Sequence, residues 1–64
     1  MNIEVREDEN AEYADWTGTL EEFLDSGMAW GMNKTTERAL KFLRLDCTLE
    51  LELSNTTYYV TRVE

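Results

Sequence analysis

The chain has 64 residues, a formal net charge of −8 and a pI near 4.3, with one cysteine, no histidine and no proline. This size fits one domain, and the composition excludes a disulfide framework and the usual zinc ligand sets, which need several Cys or His residues. No apolar run approaches the roughly 18 residues of a membrane span, and the first residues lack the features of a signal peptide, so we expect a cytoplasmic protein.

The charge is divided unevenly along the chain. Residues 1–25 hold nine acidic residues against Arg6, a net charge of −8. Residues 26–45 hold four cations against Glu37, a net of +3, and residues 46–64 hold four acids against one arginine, a net of −3. Acidic outer segments therefore flank a basic middle, a pattern that bears on steering and choice of partner more than on fold.

The first stretch in chain order predicts a β-hairpin. Ile3 and Val5 alternate with polar residues over 2–6, which is the period of a half-buried strand. A charged run follows and ends in Asn10, a residue that favours turns. Residues 11–16 are predicted to return as a second strand.

A capping signature introduces the first predicted helix. The Thr-Gly pair after residue 16 breaks the alternation, and Thr19 then stands three residues before Glu22, the spacing of a capping box. We expect a short helix over 20–26, ended by Gly27 in a left-handed conformation. The apolar stretch 28–32 has neither helical nor strand periodicity and is interpreted as a buried connection.

The second predicted helix, over 34–45, is amphipathic. Apolar residues recur on one side at helical spacing and cations lie opposite them. Either Asn33 or Thr35 can cap its first turn. The apolar side consists of Thr36, Ala39, Leu40 and Leu43, and the basic side of Lys34, Arg38, Lys41 and Arg44.

The last part of the chain predicts a second hairpin. Apolar residues alternate with polar ones over 47–53, where Cys47 is expected to be a small core residue at the start of the strand. Residues 54–57 form the turn, in which Asn55 tolerates a left-handed conformation. For a loop of two residues, the predicted register pairs Leu53 with Tyr58, Leu51 with Val60 and Leu49 with Arg62, whereas a shift of one residue would place Tyr59, Thr61 and Val63 inside.

These elements predict a small α+β domain in β(β)ααββ order. It contains a three- or four-stranded antiparallel sheet covered on one face by two helices. One or both Trp residues are expected at the edge of the core. The predicted core consists of Ile3, Val5, Leu20, Phe23, Leu24, Ala39, Leu40, Leu43, Leu49, Leu51, Leu53 and Val60.

Catalytic, cofactor and metal sites are not expected. Without His, the common Cys/His and Ser/His nucleophile pairs are excluded. The acidic stretch 8–15 lacks the glycine of an EF-hand loop, and the three glycines are too scattered for a phosphate-binding loop. Glu50 and Glu52 lie on one strand face, where a solvated surface is favoured over acid/base work. We therefore expect a non-enzymatic protein.

The basic side of the second helix is the best sequence feature for nucleic-acid binding. The net charge of −8 opposes the approach of phosphates, so we expect no direct binding of nucleic acid. The basic side is interpreted as an exposed helix face, or as the partner of an acidic segment of its own or another copy. Pairing with an acidic segment of another copy would give a homodimer.

The acidic residues allow two interpretations, solubility alone or fixed negative charge presented to a host protein with a basic surface. Carboxylates at alternate strand positions repeat at about 6.8 Å, which is compatible in scale with phosphates spaced at about 3.4 Å along one DNA strand. The possible aromatic anchors are Trp16, Trp30 and Tyr59, although each can equally be a half-buried core residue, Trp30 above all. The predicted contact residues are Glu4, Glu7, Asp8, Glu9, Glu12, Asp15, Glu50 and Glu52.

Three segments give the chain a resemblance to small proteins encoded by bacteriophages and prophages. They are Gly18-Thr19-Leu20-Glu21-Glu22-Phe23-Leu24, Thr36-Glu37-Arg38-Ala39-Leu40 and Tyr59-Val60-Thr61-Arg62-Val63. The chain also resembles, more distantly, phage inhibitors of bacterial RNA polymerase, and in charge and size it is similar to anti-CRISPR and DNA-mimic proteins. Its basic helix departs from the all-round acidity of a DNA mimic. The resemblance implies an inhibitor of a host defence or nucleic-acid-processing protein; the alternative is a self-associating structural or accessory phage protein.

Overall fold

The computed structural model, which describes all 64 residues, contains one four-stranded antiparallel sheet with the strand order β2-β1-β4-β3. The strands are β1 (Asn2–Arg6), β2 (Trp16–Thr19), β3 (Thr48–Leu53) and β4 (Thr56–Arg62). Between β2 and β3 lie α1 (Leu20–Asp25), a short 3-10 helix (Gly27–Ala29) and α2 (Lys34–Lys41). The predicted α+β class and order of elements are confirmed. No helix combines the length and the apolar character that a membrane crossing requires.

The core lies between one face of the sheet and the helical layer. Its most deeply buried side chains come from the two central strands and from both helices, and full burial of one such side chain stabilises the fold by about 1.5–3 kcal/mol. Ala29, from the stretch predicted to be a buried connection, is buried beside them, whereas Trp30 and Gly31 of the same stretch are exposed. The ten buried residues are Ile3, Val5, Leu20, Phe23, Ala29, Leu40, Leu43, Leu51, Leu53 and Val60.

Three members of the predicted core are not fully buried. Leu24 and Leu49 are only partly buried against the core, and Ala39 is exposed. The prediction for Ala39 was wrong because α2 buries a narrow stripe, of which Leu40 is the buried member within the helix. Leu49 lies on β3, an edge strand, where less of the molecule covers it.

The second strand differs from its predicted position. It begins at Trp16 rather than at residue 11, and it includes Thr17 and Gly18, which were expected to break the pattern. The ring of Trp16 lies over Gly18, where a Cβ would be 2.7 Å from its Cη2 atom. The glycine is therefore needed for the close approach of the indole, and this reason is tertiary.

The first helix begins as the capping signature predicts. The Thr19 hydroxyl accepts a hydrogen bond from the backbone N–H of Glu22 at 3.1 Å, and the Glu22 carboxylate accepts one from the Thr19 N–H at 2.9 Å. Its end differs from the prediction, since Ser26 has an extended backbone and Gly27 opens the 3-10 helix without a left-handed conformation. The left-handed glycine is Gly31, with φ of 85°.

The second helix begins as predicted but ends early. Asn33 is its N-cap, and its side chain accepts from the Thr36 N–H at 2.8 Å, so Thr35 is not the cap. The helix stops at Lys41 rather than residue 45. The segment that follows is held by the sheet, because a guanidinium nitrogen of Arg62 donates to the carbonyl of Leu43 at 3.1 Å.

The β3–β4 hairpin has a two-residue turn. Ser54 and Asn55 have φ of 50° and 66°, the paired left-handed conformations of a type I′ turn. The observed pairs are Leu53 with Thr56, Leu51 with Tyr58 and Leu49 with Val60, so the predicted register is wrong by two residues. A shift of two keeps every side chain on its predicted face, and Val60 is buried. The alternative with Tyr59, Thr61 and Val63 inside is excluded.

Cys47 was wrongly predicted to belong to the core. It lies just before β3 and is exposed. The chain turns there in a strained conformation, since the preceding Asp46 has φ of 64°. The inward alternation of β3 therefore does not extend back to the cysteine.

Candidate protein-binding surface

The sheet face that carries no helix forms the candidate surface. Because neighbouring side chains of a strand point to opposite faces, the residues that alternate with the buried ones lie on this open face. On it, the hydroxyl oxygens of Thr48 and Thr61 are 2.7 Å apart, and Glu50 is paired with Tyr59. The open face consists mainly of Glu4, Arg6, Thr17, Thr48, Glu50, Glu52, Thr57, Tyr59 and Thr61.

The acidic loop between β1 and β2 is fixed by its own hydrogen bonds. The Asp15 carboxylate accepts from the backbone N–H of Glu7 at 2.8 Å, and the Asp8 carboxylate accepts from the N–H of Asn10 at 2.9 Å. The Asp15 N–H also donates to the carbonyl of Val5 at 2.8 Å. These bonds tie down the backbone of the loop and the carboxylates of Asp8 and Asp15, so less of the loop has to be ordered when a partner binds.

Tyr59 connects this loop with the open face. Its partial burial and the carboxylates of Glu50, Glu9 and Asp8 together raise the pKa of the Tyr59 hydroxyl above its ordinary value of 10.0. These three acids come from the loop and from β3, which lie far apart in the sequence. Glu52 lies two residues beyond Glu50 on the same face of β3. We call the three acids near Tyr59, namely Asp8, Glu9 and Glu50, together with Glu52 on the same face of β3, the acidic patch.

The remaining predicted contact residues, which are Glu4, Glu7, Glu12 and Asp15, do not belong to the acidic patch. Glu4 forms an ion pair with Arg6, with 3.0 Å between the guanidinium nitrogen and the carboxylate oxygen. Glu7 and Asp15 are exposed, and the Glu7 N–H donates to the Asp15 carboxylate. Glu12 is exposed and takes part in no ion pair or side-chain hydrogen bond. Arg6, which the sequence analysis did not single out, reduces the negative charge at Glu4. Its position two residues after Glu4 on one strand was a usable signal.

The basic side of α2 lies across the molecule from the open face. The apolar side of the helix packs on the buried face of the sheet, so its cations point away from the sheet. Its one ion pair is internal, between Lys41 and Glu37 at 3.9 Å. No ion pair joins the helix to the acidic patch. A shallow groove on this side is lined by Lys34, Glu37, Arg38, Lys41 and Phe42.

The aromatic residues agree with the predictions only in part, since Trp16 lies at the edge of the core as expected and Trp30 does not. Trp16 is partly buried and packs on Phe23, with ring centroids 5.7 Å apart, so it supports the core rather than a contact. Trp30, for which burial was favoured, is 80% exposed, but it belongs to the helical layer. Only Tyr59 lies within the acidic patch. Tyr13, in the acidic loop and 78% exposed, was missed, and its place in a charged run was the available signal.

The side chains of Cys, Asp and Glu form no group of three or more that could hold a metal ion.

Comparison of the chain with models of protein families, with curated proteins and with solved structures finds no match. The arrangement of charge and exposed side chains is therefore the observation from which function is inferred.

Proposed function

We propose that the chain is a non-enzymatic, phage-encoded inhibitor that binds a host protein at a basic site meant for nucleic acid. The host protein would belong to defence or to nucleic-acid processing, and the complex would form in the cytoplasm of the host bacterium. The acidic patch is the proposed contact surface.

The observation that supports the proposal is the separation of charge. The four carboxylates of the acidic patch, three of which lie near Tyr59, are paired with no cation, while the cations of α2 lie on the far side of the molecule. Like charges held this close repel one another and lower the stability of the fold. A charge arrangement that costs stability is expected where a partner compensates for it.

The physical consequence is fast and selective association with a basic surface. A patch of one sign raises the association rate with an oppositely charged cleft by about 10- to 1,000-fold, and salt suppresses the effect. A rigid loop and a sheet surface keep the carboxylates in place, so little ordering entropy is lost on binding. Tyr59 and Tyr13 supply aromatic contact area.

The test is capture of partners from bacterial lysate in the presence and absence of duplex DNA. The test variant is Glu9→Lys/Glu50→Lys/Glu52→Lys, which spares Asp8 because that carboxylate holds the loop. The matched control is Glu21→Lys/Asp25→Lys/Glu64→Lys. Each change adds two charges, so both variants go from −8 to −2.

The wild type and the control are expected to capture the same nucleic-acid-binding protein, and duplex DNA should release it. The test variant should lose that protein by at least tenfold. Equal capture by the test variant would exclude the acidic patch as the contact. Capture that DNA leaves unchanged would exclude competition for a nucleic-acid site.

A second candidate is self-association, because the acidic patch and the basic side of α2 lie on opposite sides of one molecule. Such surfaces favour head-to-tail contact between copies. Light scattering at about 50 and 500 mM salt separates the two, since at 0.5 M surface charges are screened beyond a few ångströms. Oligomers that dissociate at high salt support self-association, and a monomer at both concentrations supports the inhibitor.

A further inference from the structure

The strand β3 forms a free edge of the sheet. Its one strand neighbour is β4, which lies on one side of it. The backbone N–H of Arg62 donates to the carbonyl of Cys47 at 3.1 Å, and this bond fixes which residues face β4. Since antiparallel hydrogen bonding alternates along a strand, the residues at 49, 51 and 53 bond to β4. The N–H and C=O groups of Thr48, Glu50 and Glu52 therefore point out from the free edge.

This edge lacks most of the features that usually prevent strand pairing. The chain has no proline, and the β3–β4 pairing runs from Thr48 to Leu53 without a bulge. β3 also carries no lysine. The opposite edge, β2, has four residues and contains Gly18, so it is the poorer template. β3 offers six residues in regular extended conformation.

The charges of β3 oppose pairing with a second copy of itself. Two copies of β3 can pair antiparallel through their outward backbone groups in two central registers. If Leu51 lies opposite the Leu51 of the other copy, each Glu50 lies opposite a Glu52. If Glu50 lies at the centre instead, the two copies of Glu50 lie opposite each other. Directly opposed like charges destabilise a strand pair. Both glutamates are exposed, and neither forms an ion pair within the chain.

We propose that a partner protein adds an extended basic segment to the sheet beside β3. Its Lys or Arg residues, at alternate positions, lie on the open face opposite Glu50 and Glu52. The residues between them are apolar and lie beside Leu49, which is partly buried at this edge. The inference rests on the proposed function in one respect, that the acidic patch is the contact, and it adds the conformation and side-chain pattern of the partner.

The test uses a capped seven-residue peptide in which lysine and valine alternate, titrated into the full chain by calorimetry. A peptide of the same composition with its lysines contiguous is the sequence control. Two further peptides carry backbone N-methyl groups, one on the lysines and one on the valines. An extended peptide presents these two sets of N–H groups on opposite edges, so only one set faces β3.

The alternating peptide should bind, and the contiguous control should bind at least tenfold more weakly. One of the two methylated peptides should lose at least tenfold in affinity, and the other should bind like the parent. In amide hydrogen exchange, the N–H groups of Glu50 and Glu52 should exchange at least tenfold more slowly in the complex. The variant Glu50→Lys/Glu52→Lys should lose the peptide, and Glu21→Lys/Asp25→Lys should keep it.

Equal binding of both methylated peptides would overturn strand addition while leaving the acidic patch as an electrostatic contact. Slow exchange at Glu50 and Glu52 in the free protein, together with a dimer by sedimentation, would show that a second copy occupies the edge and would also overturn it. If the peptide results hold but lysate capture yields no nucleic-acid-binding protein, the proposed function fails and strand addition stands.

Discussion

At the scale of single residues, the starts of both helices, which depend on near neighbours in the sequence, agree with expectation, whereas the predicted left-handed Gly27 at the end of α1 does not. The capping box of Thr19 and Glu22 and the Asn33 cap each join atoms three residues apart. Such bonds form wherever a helix starts at that point, and the side chain itself favours the start. Burial is not local in this sense, which is why Ala39 and Cys47 were misplaced.

Replacing Thr19 with Ala should lower the free energy of unfolding by about 1 kcal/mol, because the Glu22 N–H loses its acceptor at the start of α1. The measurement is urea denaturation followed by tryptophan fluorescence. Thr35→Ala is the control, since Thr35 is exposed within α2 and is not a cap. A loss of similar size in both variants would contradict the assignment of the cap.

The Glu22 carboxylate makes stability depend on pH. The backbone N–H of Thr19 donates to it and lowers its pKa below the ordinary 4.5. The folded state thus binds this proton more weakly than the unfolded state, so the contribution is present above pH 4.5 and is lost as pH falls through the lowered pKa. Thermal melts should show Glu22→Gln less stable than wild type at pH 7, with the difference shrinking as the pH falls below 4.5. Glu21→Gln, which removes a charge from the same turn without this bond, should show a smaller pH dependence.

At the scale of elements, the existence of each helix and strand follows from periodicity, and the ends follow from contacts. The β2 strand is defined by its pairing with β1 and by the indole over Gly18. The strand has four residues, too few for a periodic pattern of apolar residues to reveal either contact. The segment after α2 is held by the sheet, through the bond from Arg62 to Leu43. In the hairpin, the two-residue turn sets the register that periodicity left open.

The left-handed turn at Ser54 and Asn55 makes a prediction for the hairpin. Ser54→Val should lower the free energy of unfolding by about 1–2 kcal/mol, because a left-handed backbone crowds an ordinary side chain. Ser54→Asn/Asn55→Gly should instead leave it unchanged or raise it, since Asn-Gly is the preferred type I′ pair. Urea denaturation measures both. A neutral valine would show that the turn is not type I′ in solution.

The narrow buried stripe of α2 predicts that two neighbouring substitutions in this helix differ strongly in their effect on stability. Leu40→Ala should lower the free energy of unfolding by about 2–5 kcal/mol, enough to unfold a domain of this size, because the fully buried side chain leaves a cavity. Ala39→Lys, one position away, should change it by less than about 0.5 kcal/mol, since the site is exposed. Circular dichroism during thermal melting measures both. If Ala39→Lys unfolds the chain, the helix packs as the sequence pattern predicted.

At the scale of the whole molecule, the fold places the acidic residues and the cations of α2 on opposite sides, whereas the sequence shows only that each occurs in clusters. The acidic loop and β3 meet around Tyr59, and α2 carries its cations to the other side of the sheet. Arg6 neutralises Glu4 within the open face. Both the proposed inhibitor function and strand addition depend on this separation.

The unpaired acidic patch should make stability increase with salt. Raising the salt concentration from about 20 to 300 mM shortens the screening length severalfold and weakens the repulsion among its carboxylates. We expect the melting temperature of the wild type to rise. In Glu9→Lys/Glu50→Lys the rise should be smaller than in Glu21→Lys/Asp25→Lys, which has the same net charge. Equal salt dependence in the two variants would mean that total charge matters and that the patch is not a local cluster.

The sequence by itself determined the fold class, the order of elements, the capping box of α1 and the faces on which the side chains of β1, β3 and β4 lie, because these depend on residues two to four positions apart. Only the tertiary structure decided which acids meet, that Trp16 is needed in the core, that Trp30 is exposed, and that β3 forms a free edge. Those outcomes depend on the strand order β2-β1-β4-β3, which brings distant segments together, and no local spacing encodes that order.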